Sequence, residues 1–81
     1  MKVEVQLFAV ARQIAGRPMV AIDLAETATV ADLRRRLGEV CPALAPLLPG
    51  MMFALEDQYL GDHQQLPAGG TVACIPPVSG G

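Results

Sequence analysis

Little in this chain of 81 residues is equipped for side-chain chemistry. It carries one histidine and two cysteines, and none of them stands in a recognisable constellation. His63 lies in a polar stretch with no serine, cysteine or carboxylate at ligand spacing, and reads as an exposed loop residue. Cys41 and Cys74 form no CxxC or Cys/His pattern, and read as two small buried hydrophobes. Glu56, Asp57 and Asp62 match the spacing of no oxygen-ligand loop, and a turn between short strands needs such polar residues in any case. A Gly-rich phosphate loop, a nucleophile elbow and a paired acid and base are all missing. These absences argue against a metal centre and against an enzyme that works alone.

Charge is scarce as well. Six Lys and Arg stand against eight Asp and Glu, a net charge of −2, so the chain lacks the basic surplus that neutralises phosphates and nucleic acid is not an expected partner. The start, "MKVEVQLFAVARQ", has charges spaced through it and no uninterrupted apolar segment, so no secretory signal is expected. The longest apolar stretch, "ALAPLLPGMMFAL", is too short to span a bilayer and is broken by Pro46, Pro49 and Gly50. A soluble, cytoplasmic protein without a membrane partner is expected.

What the chain does have is apolar residues, 52% of the total. That suits a folded domain rather than a disordered one, and a domain of this size buries only about 60% of the surface its unfolded chain exposes. In "KVEVQLF", Val3, Val5 and Leu7 alternate with Lys2, Glu4 and Gln6, the period of a half-buried strand. After a turn signal at Gly16 and Pro18, Val20, Ile22 and Leu24 repeat the alternation, and the two strands read as an opening hairpin. The period then changes: Val30, Leu33, Leu37 and Val40 recur at helical steps and would form one apolar stripe. Thr29 and Asp32 have the spacing of a capping box at its start. Pro42 ends the helix. Arg34, Arg35 and Arg36 are consecutive, so they fan over the outer arc as a solvated face, with partner docking as the alternative.

Pro42, Pro46 and Pro49 make "CPALAPLLPG" an irregular apolar crossing. "MMFALE" then reads as a third strand, "QYL" as a short fourth and "TVACIP" as the last, with Gly69 and Gly70 turning the chain into it. The expected class is α+β, one main helix packed across one mixed sheet.

The chain ends in "IPPVSGG". Pro76 and Pro77 cannot donate to a ladder and favour a stiff, extended exit from the last strand. Val78, Ser79, Gly80 and Gly81 follow, with one small apolar handle, one hydroxyl and two residues lacking side chains. Such a tail can thread a channel that any Cβ would obstruct, and six extended residues reach about 20 Å. Terminal fraying would also account for small residues at an end, but not for the two prolines before them.

These elements and this tail resemble the ubiquitin-like sulfur carriers, above all those of the molybdopterin synthase small-subunit (MoaD) type, over essentially the whole chain. "LFAVARQIAG", with Phe8, Ala9, Arg12 and Gly16, is similar to the family's opening strand and turn. "TVADLRRRL" resembles its helix start, "DHQQLPAGGTVACIPPVSGG" its last turn and strand, and the end its Pro-Pro-Val-small-Gly-Gly signature. The resemblance implies a β-grasp (ubiquitin-like) domain over residues 1–75 and an extended tail over 76–81. It also implies that no cofactor is bound. A partner activating enzyme would use ATP to adenylate the carboxyl of Gly81, and a persulfide sulfur donor would convert it to a thiocarboxylate, a C-terminal 1-thioglycine.

By the same resemblance, residues 76–80 would insert the tail into the large synthase subunit, in a heterotetramer, where sulfur passes to cyclic pyranopterin monophosphate. Phe8 and the segment around Phe53 become candidates for the partner surface, with a core role open for each. Glu56, where relatives often carry Asn, and Cys74 and Ile75, where aromatic residues are common, depart from the pattern. Sulfur delivery for thiamine thiazole synthesis or another acceptor, attachment to target proteins as a modifier, and a plain binding domain stay open as alternatives.

Overall fold

The computed structural model describes residues 1–77. The first alternation forms β1 (Lys2–Leu7), which buries Val3, Val5 and Leu7 and leaves Lys2, Glu4 and Gln6 exposed. β2 (Met19–Asp23) lies antiparallel to it, with Val5 opposite Val20 and Val3 opposite Ile22. The expected pairing is therefore present, but its connection is more than a turn. Ala9–Ala15 form a short helix, α1, that the alternation does not announce. It ends at Gly16, whose φ of 75° is the left-handed conformation that glycine adopts without a Cβ penalty. One side of α1 is anchored by Ala11, which is fully buried.

The main helix, α2, spans Val30–Val40. Its capping box is formed: Thr29 Oγ1 accepts from the Asp32 backbone N–H, and Asp32 Oδ2 accepts from the Thr29 backbone N–H at 2.9 Å. A loop far along the chain supplies further partners, since the N–H groups of Val30 and Ala31 donate to the carbonyls of Gln64 and Asp62. Donors that a helix start leaves open are thus satisfied from outside the helix. Val30, Leu33 and Leu37 are buried as expected, whereas Val40 is 39% exposed. Val40 falls about 80° to one side of the stripe centred on Val30, while Cys41, one residue later, returns to it and is buried.

Two 3₁₀ turns, Pro42–Leu44 and Leu48–Gly50, carry the chain across the end of the domain and bury Leu44 and Leu48. β3 (Met52–Leu55), β4 (Gln58–Leu60) and β5 (Thr71–Ile75) complete a five-stranded sheet of order β2-β1-β5-β3-β4. β5 is parallel to β1 and antiparallel to β3, so the last strand occupies the centre. Gly69 and Gly70, both at positive φ, turn the chain into it. In the loop between β3 and β4, Glu56 takes a φ of 55°, a conformation that Asn tolerates better than Glu.

The core lies between one face of the sheet and α2. Val3, Val5, Leu7, Val20, Ile22, Phe53, Val72 and Cys74 meet Val30, Leu33 and Leu37 there. Both cysteines are free and buried, as small hydrophobes would be. No helix among the described residues is long and apolar enough to cross a membrane.

Candidate functional site

β5 brings Pro76 and Pro77 to the middle of the sheet, and the face of that sheet opposite α2 carries no helix among the described residues. The strand register shows what that face presents. Tyr59 pairs with Ala54, Ala54 with Ala73, Ala73 with Gln6, and Gln6 with Met19. One row of side chains thus runs across all five strands. The next row toward the tail pairs Met52 with Ile75, and the Phe8 backbone N–H donates to the Cys74 carbonyl beside it. Phe8, Met19, Met52 and Tyr59 are all substantially exposed, Tyr59 at 62%. At the far end of the same face the pairs are Lys2 with Asp23 and Glu4 with Ala21 and Thr71. The open face is therefore apolar beside the tail and polar away from it.

Phe8 is one of the exposed residues of this patch, at 39%. Phe53 is not: of the two roles left open for it, the ring occupies the core, with no exposed surface. It pairs with Cys74, a residue of the helix-facing side, so its side chain points under α2 and cannot touch a partner. The exposed residue of that segment is Met52. Met19 and Tyr59 were missed by sequence reasoning, and Met52 was covered only as part of the segment around Phe53, although one signal for it was present. "MMFAL" is apolar at successive positions rather than alternate ones, the pattern of a strand covered on both faces.

The three arginines do not share one solvated face. Arg35 and Arg36 make exposed 3.3 Å pairs with Asp32 and Glu39 on α2, which contribute little in water. Arg34 is 19% exposed and turned inward. Its Nη1 donates to the carbonyls of Leu48 and Met51, its Nη2 donates to Asp62 Oδ1 at 2.6 Å, and its guanidinium lies 5.0 Å from the centre of the Phe53 ring. Asp62 is thus paired with an arginine, while His63 is exposed in the adjoining turn. Glu56 and Asp57 form the loop between β3 and β4.

Cys74 sits under the sheet one residue before the end of β5, and its thiol donates to Met51 Sδ at 3.3 Å. Burial pushes the Cys74 thiol up to about 11, against the opposing pull of the Arg34 charge. Near the tail, Pro76 follows β5 and Pro77 comes beside Gly50. Val78, Ser79, Gly80 and Gly81 lie outside the described residues.

A mixed sheet packed on one main helix, with Pro76 and Pro77 leaving the central strand beside an apolar face, defines a ubiquitin-like β-grasp protein. Residues 5–81 match the ThiS family, and the chain belongs to it. It is 35% identical over 83 residues to the molybdopterin synthase sulfur carrier subunit of Chlamydomonas reinhardtii, with all of both chains covered. Among solved structures, SAMP1 from Haloferax volcanii superposes with a TM-score of 0.86 at 28% identity, again covering all of both chains. Subunits 1 and 2 of the molybdopterin-converting factor from Helicobacter pylori have been solved as a protein–protein complex. A chain of that complex matches at a TM-score of 0.68 and 26% identity, with all of both chains covered.

Proposed function

We propose that this protein is the sulfur carrier subunit of a molybdopterin synthase. The observation that carries the proposal is the end-to-end match to the Chlamydomonas reinhardtii carrier. The apolar face beside the tail supports it, because a tail alone offers little docking area and a stable interface needs about 800 Å² from each partner. The partner that fits is a large synthase subunit, as the Helicobacter pylori complex suggests. Met19, Met52, Tyr59 and Phe8 would meet it while residues 76–81 enter its active site.

The chemistry belongs to the terminal carboxylate of Gly81. A carboxylate is a poor electrophile, and adenylation by an activating enzyme at the expense of ATP gives it a good leaving group. The outer sulfur of a persulfide donor then displaces AMP to give an acyl disulfide, and a second thiol, which forms a disulfide with the donor sulfur, releases the thiocarboxylate, whose softer sulfur attacks carbon in cyclic pyranopterin monophosphate. The carrier binds no cofactor and supplies no catalytic side chain. It works in the cytoplasm, where a free thiol pair such as Cys41 and Cys74 stays reduced.

A second reading, attachment of Gly81 to target proteins, is favoured by the similarity to the solved small archaeal modifier protein 1 of Haloferax volcanii. Both readings begin with an activated terminus and differ in what receives it. The deciding measurement is mass spectrometry of intact protein and of its C-terminal fragment, purified from cells that express the activating enzyme. Sulfur localised to Gly81 supports the carrier. Fragment data are needed because sulfoxide at any of the four methionines mimics the gain of sulfur for oxygen. A ladder of heavier conjugates with no sulfur at Gly81 would transfer the assignment to the modifier.

A further inference from the structure

Arg34 stands where the helical repeat calls for an apolar residue, and its contacts explain why. From Val30 the apolar stripe of α2 runs through Leu33, Leu37 and Cys41, and the fourth residue after Val30, on that same stripe, is Arg34. Its guanidinium reaches three segments at once: the carbonyls of Leu48 and Met51 at the two ends of the second 3₁₀ turn, Asp62 in the loop after β4, and the ring of Phe53 on β3. One donor, Nε, is buried without an acceptor among the described residues. Burying it is unfavourable, and the other contacts outweigh that cost.

The turn that Arg34 holds is also the seat of the tail's base. Leu48 lies so close to α2 that a Cβ on Gly38 would come within 3.1 Å of Leu48 Cδ1. On the outer side of the turn, a Cβ built on Gly50 would meet Pro77 Cγ at 3.9 Å. Pro77 thus lies within one side-chain atom's reach of a turn that Arg34 holds through the carbonyls of Leu48 and Met51 and that burial of Leu48 seats against α2.

We infer that Arg34 is a positioning residue for the C-terminal tail: by clamping Leu48–Met51 to α2 it fixes the surface against which Pro77 rests, and so the line along which the chain leaves the sheet. A terminus that must enter two partner sites in turn is sensitive to that line, because an error of about 1 Å at a reacting atom costs up to about 100-fold in rate. This consequence rests on the carrier reading, whereas the placement of Pro77 does not.

Two variants of the full chain test it. Arg34→Met removes the donors while keeping an apolar stem, and Gly50→Val leaves Arg34 untouched while pressing on the Pro77 ring. In the free protein, the nuclear Overhauser contact between Gly50 Hα and the Pro77 ring is expected to disappear in Arg34→Met, and in Gly50→Val the Pro77 ring signals are expected to shift. The amide spectrum of β1, β2 and α2 should persist in both. Single-turnover sulfur transfer from the charged variants should fall about tenfold, with affinity for the large subunit changed less than twofold. An unaltered Gly50–Pro77 contact in Arg34→Met, or wild-type transfer by both variants, would overturn the inference. If Arg34→Met fails to fold, Gly50→Val decides by the same transfer rate, read with Arg34→Lys, which keeps the charge and should retain the contact. A wild-type chain that cannot be charged with sulfur would instead defeat the carrier reading and leave the Pro77 result standing.

Discussion

Met52 and Phe53 are consecutive on β3 and face opposite sides of the sheet, one 44% exposed beside the tail and the other wholly enclosed beneath α2. Their roles should separate cleanly. Phe53→Ala is expected to lose about 3–5 kcal/mol in urea unfolding, the cost of emptying an aromatic site in a packed core. Met52→Ser should change stability by less than about 0.5 kcal/mol and weaken binding to the large subunit about tenfold. Calorimetry that finds full affinity for Met52→Ser would remove the open face from the interface.

Deleting Gly81 should leave the fold untouched, because among the described residues the strand pairing ends at Ile75. The melting temperature and amide spectrum should match the parent chain, while charging with sulfur and molybdopterin formation in a reconstituted synthase fall to background. Product formed at the normal rate by the shortened chain would show that the terminus is not the carrier.

The start of α2 gives a pH dependence whose sign can be worked out. Hydrogen bonds from Thr29, the backbone N–H foremost and the side chain next, hold the Asp32 carboxyl below its ordinary value of 3.8, helped by Arg35. The folded state therefore gives up this proton more readily than the unfolded chain. Its contribution is present above a pH of about 4 and is lost as the pH falls through the lowered folded value. Melting followed from pH 7 down to pH 2 should show a steeper loss for the parent than for Asp32→Asn. At neutral pH, Thr29→Ala should lose about 1 kcal/mol.

Cys74 should be inert in the native protein. With its thiol pushed up to about 11 from an ordinary 9.0, the thiolate fraction at pH 8 falls about 100-fold, and access is closed. Alkylation followed by peptide mass spectrometry should find Cys74 modified at least 100-fold more slowly in the folded chain than in urea. Because the folded value is raised, the stability linked to the neutral thiol is complete below pH 9.0 and declines as the pH climbs through about 11. Rapid labelling of the native chain would contradict the burial on which this rests.

Much of the fold was legible because its signals are local. The alternation through Val3, Val5 and Leu7, the stripe through Val30, Leu33 and Leu37, and the Thr29–Asp32 box each depend on residues a few positions apart. Helix α1 was not legible, since its seven residues, including Ala9, Ala11 and Ala15, show neither a strand's period nor a capping residue at Phe8. The open face was half legible: "MMFAL" announces a strand apolar on both sides, but which of Met52 and Phe53 faces outward depends on pairing with β5. Arg34 was misjudged for a related reason. Three arginines in a row look like a solvated arc until the carbonyls of Leu48 and Met51, 14 and 17 residues away, are brought beneath one of them.

The strands, the main helix and its cap, and the identity of the tail can be read along the chain alone, because they follow from side-chain periodicity, capping chemistry and a short motif. That β5 lies between β1 and β3, that an apolar face adjoins Pro76 and Pro77, and that Arg34 holds the turn at Leu48–Met51 emerges in the folded arrangement. Those are relations between segments distant in sequence. They are settled by which apolar faces can be buried together and by where stranded backbone carbonyls find a donor.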